Sequence, residues 1–447
     1  MTAEASPVRA WAKRLSYLIL ALAAAGVAWP SEHLTRFHVG PFYSLEIVLF
    51  AWFAAVLVSR KGPALPRFKT LWPAAAFFAW GLSLLAYDLL THREQIQDQL
   101  AMTRMWQHTV LFVYPLIWMA VGLWLASTDR AITALIVLIV LFINTIPSLA
   151  GNIVSNLSLG PLTAVVLVVC LDKALSWPKR SAERLAYWLI SLGFALITFF
   201  PYWRLWYIGA PMERTSLMVL LFMLVATPLL RRKKLSSLRT FCITLPLFAL
   251  GFVIASAQPQ ISVSEHLADT FFGSPEKSGL QSSSVLPTLS LATVRKFWWK
   301  QSLADWRQNP ATGIGFIPEV PSFIVEGQLN NWATVKAEPR FHSTSPISGP
   351  HNSYLTILAR MGLVGFGLFA LLAAQWLRSI WPLVRGRELN LYEIMVVLLP
   401  VSGAIYALLN IGLETPRNCA LMWFFAGAAT VYASSLAEAE AEASSRD

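Results

Sequence analysis

The chain has 447 residues, of which 56% are hydrophobic and only 13% charged, with a mean hydropathy of +0.55 and a formal net charge of +11. So apolar a chain exceeds what one soluble core explains and indicates an integral membrane protein. The positive charge is read as membrane topology, with contact to anionic lipids as a secondary effect, rather than as nucleic-acid binding.

Repeated apolar runs of about 17 to 25 residues have the length that carries a helix across a hydrocarbon layer of roughly 30 Å. About twelve spans are expected, near residues 15–30, 43–59, 71–90, 107–127, 131–148, 153–171, 184–201, 215–230, 239–256, 353–377, 392–412 and 417–434. The first follows Arg9, Lys13 and Arg14 in the manner of a signal-peptide n-region, but no small-residue cleavage site follows it, and it is read as an uncleaved anchor. Cys170, Cys242 and Cys419 all fall in expected spans, which leaves none for an extracytoplasmic disulfide or a clustered metal site.

Lysine and arginine set the orientation, because cationic segments resist translocation. With the N-terminus inside, "SRKGPALPRFK" at 59–69, "DKALSWPKRSAER" at 172–184, "RRKKLSSLR" at 231–239 and "RSIWPLVRGR" at 378–387 all lie on the cytoplasmic side. The expected fold is therefore an all-α polytopic membrane protein of about 12 transmembrane helices, with a large, partly helical outer loop between helices 9 and 10. Residues 1–256 then hold helices 1–9, 257–352 the loop, 353–434 helices 10–12, and 435–447 an acidic cytoplasmic tail.

The loop is too long for a simple connector. It opens with a Ser/Pro/Gly-rich stretch, "SPEKSGLQSSSVLPTLS", and continues with "LATVRKFWWKQSLADWRQNPATGIGF". There Val294, Phe297, Trp298, Leu303 and Trp306 form one apolar helical face, Lys296, Lys300 and Arg307 the opposite one, and Asn309-Pro310 a stop. A helix lying at the membrane surface fits this pattern. No phosphate-binding loop, dinucleotide fingerprint, zinc motif or nucleophile elbow occurs, so nothing supports a nucleotide-driven reaction.

Polar chemistry gathers at the outer face. His351 stands at the lip of the tenth span, where an imidazole with an ordinary pKa of about 6.5 can accept a proton at neutral pH or cap the helix. Asn352 is an N-cap or an orienting partner for that imidazole. Arg214, just outside the eighth span, and Arg295, at the start of the loop helix, are suited to paired hydrogen bonds with phosphate oxygens; snorkelling to lipid headgroups is the alternative for each. Arg204, in "FFPYWRLWYIGAP", shares the outer connection with Arg214 amid aromatic side chains that either stack on sugar or mark the interface. Arg360 falls about 13 Å further along the tenth span than His351 and needs a buried partner or a watery cavity, with Glu393 and Glu414 as candidates.

The many spans, the single large outer loop late in the chain, "RKFWWKQSLADWRQNPATGIGF" within it and "HNSYLTILARMGLVGFG" at its end resemble the O-antigen ligase and polymerase superfamily. The resemblance implies a metal-independent, cofactor-free, inverting glycosyltransferase on the periplasmic side of the bacterial inner membrane. Its donor would be an undecaprenyl-diphosphate-linked O-antigen and its acceptor, in the ligases, a sugar hydroxyl of lipid A-core. Carried over by position, His351 matches the family's essential histidine and acts as general base. Arg214, with Glu213 in place of the more usual serine, and Arg295 match arginines that bind the diphosphate, and Arg204 is a further candidate for that role. An O-antigen polymerase or a protein O-oligosaccharyltransferase would share the donor and the site. A lipid or solute transporter is the reading from another class, and its mark would be broken helices and ionisable groups at the bilayer midplane.

Overall fold

The computed structural model describes residues 68–91, 99–128, 182–192, 291–316, 352–386, 391–409 and 416–444, together with short or isolated positions elsewhere. Six long helices carry the description: α1 (Phe68–Thr91), α2 (Gln99–Thr128), α3 (Leu291–Gln308), α4 (Ser353–Gly386), α5 (Leu391–Leu409) and α6 (Pro416–Ser444). Residues 182–192 are also helical. One antiparallel hairpin, β1 (His38–Val39) with β2 (Phe42–Tyr43), pairs His38 with Tyr43 and Val39 with Phe42, and is the one departure from an all-helical chain among the described residues.

The expected spans at 71–90, 107–127, 353–377 and 417–434, and 392–412 as far as Leu409, fall on described helices; the first half of 184–201 is described as helix, and the others lie wholly or mostly outside the described residues. The last helix runs on through the acidic "AEAEAEAS" stretch to Ser444. Leu71–Thr91 and Ser353–Arg385 are long and apolar enough to cross a membrane, and His108–Trp124 and Val396–Leu408 are shorter apolar helices. Much of this apolar surface faces outward: Leu90 is 78% exposed on α1, and Leu363, Leu377 and Trp381 are exposed on α4. Hydrocarbon, unlike water, leaves such a surface without penalty. With the apolar composition, this marks a membrane protein.

The helices pack as a ring in which α1 meets α2, α2 meets α6, α6 meets α4, and α4 returns to α1; α5 lies beside α6, and α3 lies on α4. The α2–α6 contact is closest because both helices present glycine to it. A Cβ on Gly122 would collide with the Phe424 carbonyl, and one on Gly427 with the Met119 carbonyl. Small residues that let backbones approach this far are the usual basis of helix association in lipid, where no hydrophobic force separates protein from solvent. Cys419, Ala420, Ala428 and Ala429 on α6 are buried, and Ala428 also stands beside Gly122 in this seam. Indole and hydroxyl groups tie the ring at its polar points: Trp376 Nε1 donates to the Ala426 carbonyl at 3.1 Å, and Ser379 Oγ lies 3.3 Å from Thr430 Oγ1.

The tenth span, expected as one straight helix, is bent. Within α4, Gly362 has φ 65° and ψ −168°, values no helix interior adopts. The short arm before it turns toward the long arm after it, and Tyr354 and Phe369 meet edge to face with ring centroids 5.7 Å apart. Phe369 also packs on Phe77 of α1 and Trp423 of α6, which seats the bend in the ring.

Candidate functional site

The short arm starts at a fully formed cap. Asn352 Oδ1 accepts from the backbone N–H groups of Tyr354 and Leu355, each at 3.1 Å, and its carbonyl accepts from Thr356 N–H. Two of the four donors that a helix start leaves without partners are thereby satisfied. The arm's first turn is held laterally: Ser353 Oγ, fully buried, accepts from Leu413 N–H, and Tyr354 Oη donates to the Ala404 carbonyl at 2.9 Å. Of the two roles open to Asn352, the cap is present. His351 is the residue directly before this cap in the chain.

His351, Arg204 and Arg214 lie outside the described residues. Arg295 is placed on α3, one turn from its start. Helix α3 packs on α4 and stops at Asn309-Pro310, where Gly313 N–H donates back to the Asn309 carbonyl at 2.7 Å and Trp306 Nε1 to the Pro310 carbonyl at 3.1 Å. The chain then enters the bend of α4.

That entry is a hydrogen-bond exchange. In an unbroken helix the N–H groups of Leu363 and Val364 would bond the carbonyls of Ala359 and Arg360. The Gly362 conformation breaks this pairing, and the loop after α3 takes all four groups. Leu363 N–H donates to the Pro310 carbonyl at 2.8 Å and Val364 N–H to that of Ala311 at 3.2 Å; the Ala359 carbonyl accepts from Ile314 N–H at 2.9 Å and the Arg360 carbonyl from Gly315 N–H at 3.1 Å. The Met361 carbonyl is met from the other side by Trp80 Nε1 of α1 at 3.1 Å. A buried backbone group left without a partner costs about 1–3 kcal/mol, so a bend of this kind persists only when it is sealed in this way.

The seal demands glycine. Gly313, Gly315 and Gly362 are the glycines with positive φ among the described residues, and all three lie in this junction. A Cβ on Gly313 would strike the Arg360 backbone, one on Gly362 the Ala311 backbone, and one on Gly315 the Asp88 carboxylate. Two ionisable side chains also reach the loop here. Asp88 of α1, 3% exposed, accepts from Phe316 N–H through Oδ2, and Arg360, 8% exposed, donates from Nη1 to the Gly315 carbonyl at 3.3 Å. Phe316, fully buried, closes the loop by packing its ring 5.2 Å from that of Phe112 on α2.

Arg360 thus has a buried partner in the loop carbonyl. The bend lies nearer the start of α4, and the 24 residues from Leu363 to Gly386 follow it. Asp88, Trp80 and the three glycines were not singled out from the sequence. Their signals were a lone carboxylate late in an apolar span and the paired strings "ATGIGF" and "ARMG".

No curated protein matches the chain. Residues 205–370, which contain α3, the loop after it and the bend of α4, match the family model described as O-antigen ligase.

Proposed function

We propose that the chain is an O-antigen ligase: an inverting, metal-independent glycosyltransferase that moves a glycan from undecaprenyl diphosphate to a sugar hydroxyl of lipid A-core at the periplasmic face of the bacterial inner membrane. The observation that carries this reading is the family match, whose span of residues 205–370 includes Arg214, Arg295 and His351, with Arg204 just before it. A sugar hydroxyl is a poor nucleophile, and His351 removes its proton as it attacks the anomeric carbon. Arg214 and Arg295, with Arg204, neutralise the charge that grows on the departing diphosphate. Direct displacement inverts the anomeric configuration, and the diphosphate linkage supplies the driving force without a soluble energy source. The lipid tail stays among the helices while both sugars meet at the outer edge.

Purified protein given undecaprenyl-diphosphate-linked glycan and lipid A-core in the presence of EDTA is expected to yield glycan-bearing lipid A-core, visible as a glycolipid gel shift. Transfer of the glycan to a second lipid-linked chain or to a protein, with lipid A-core unmodified, would assign the polymerase or protein-modifying reaction instead.

A further inference from the structure

We infer that Asp88 and Arg360 are positioning residues, which hold the loop 310–316 in the bend of α4 and so fix α3, with Arg295, against the short arm that begins two residues after His351. The inference rests on the reading of those two residues as diphosphate ligand and base. The backbone exchange at Gly362 satisfies the peptide groups, but it gives no reason for two opposite charges to be buried at the same place. Removing a carboxylate and a guanidinium from water is costly unless each meets strong partners. They meet at neighbouring loop residues: Asp88 takes the Phe316 N–H and fills the space where a Gly315 Cβ would stand, while Arg360 takes the Gly315 carbonyl. Bonds to charged groups are about twice as strong as neutral ones.

The loop is also the only stretch between α3 and α4 that the described structure pins to α4 by backbone bonds. Asp88 further brings α1 into the junction, so α1, through Asp88, and α4, through Arg360, both hold the loop at Gly315–Phe316. If that junction slackens, α3 shifts along α4, and a displacement of about 1 Å between a base and a leaving-group ligand can lower a rate by about a hundredfold. Asp88 and Arg360 then act on turnover without touching either substrate.

The test is a double-mutant cycle on transfer rate, using full-length purified protein with matched melting temperatures, and Asp88→Asn and Arg295→Ala singly and together. Asp88→Asn is expected to lower kcat about tenfold or more in the wild-type background and by less than about twofold in the Arg295→Ala background, since the group it places is already gone. Arg360→Lys, which keeps the charge but loses the planar donor set, is expected to behave in the same way. Equal losses in both backgrounds would overturn the inference. A second readout needs no activity: spin labels at Lys300→Cys on α3 and Leu377→Cys on α4, both exposed positions, in a background with exposed Cys242 replaced by serine. Asp88→Asn is expected to broaden that distance distribution, and an unchanged distribution would overturn the inference. Full activity in Arg295→Ala would remove Arg295 from the proposed mechanism, while the distance measurement would still decide whether Asp88 holds α3 in place.

Discussion

Tyr354 and Phe369 belong to the same helix, fifteen residues apart in the chain, yet their ring centroids stand 5.7 Å from one another. On a straight helix they would be about 22 Å apart along the axis. The difference is the turn at Gly362, and the turn is stable because a loop from elsewhere in the chain supplies the hydrogen bonds that it breaks.

Gly362→Ala should therefore be severely destabilising. An L-residue at this positive φ with extended ψ, a conformation essentially reserved for glycine, costs about 1–3 kcal/mol, and the new methyl group would also run into the Ala311 backbone. A loss of about 2 kcal/mol or more is expected, read as a lower melting temperature in detergent. Gly367, five residues on, has nothing within 4 Å of where its Cβ would be. Gly367→Ala should leave the melting temperature unchanged or raise it slightly, because alanine is the better helix former.

The α2–α6 seam should be as intolerant. Gly122→Ala and Gly427→Ala each place a methyl group on a carbonyl of the facing helix. Overpacking of this kind costs typically about 1–3 kcal/mol. Thermal unfolding of the two variants, compared with Gly367→Ala, separates close backbone approach from a general effect of adding a methyl group.

The dual reading of Asn352 can be resolved by substitution. Asn352→Ala removes the acceptor for two backbone N–H groups and should lower stability by about 1 kcal/mol, whereas Asn352→Ser keeps a capping oxygen and should melt near wild type. If capping is the residue's whole contribution, Asn352→Ser also retains wild-type transfer activity. A serine variant that melts normally but transfers slowly would show a second role beside His351.

What the sequence disclosed, and what it concealed, have physical reasons. The apolar helices were legible because span length and composition are properties of a single segment. The end of α3 was legible too, since Asn309-Pro310 cannot continue a helix. The bend at Gly362 was not, because "RMGLVG" is compatible with a straight helix until another segment offers bonds to Ala359, Arg360, Leu363 and Val364. Asp88 escaped notice for the same reason: a carboxylate in an apolar helix is explained only by its partner, and Phe316 lies 228 residues away. Arg360 is visible in the sequence as an anomaly, but the loop carbonyl that meets it lies 45 residues away and no local pattern points to it. His351, Arg204 and Arg214 were chosen by residue chemistry and family pattern, and the described residues do not include them.

The most direct test of the proposed chemistry is the transfer rate of His351→Ala against wild type, with equal amounts of folded protein, undecaprenyl-diphosphate-linked glycan as donor and lipid A-core as acceptor. Loss of a general base lowers a rate by about 10²–10⁴-fold, so the variant is expected to form less than about one hundredth of the wild-type product while still binding the donor. Equal rates in the two proteins would contradict the assignment of His351 as the base.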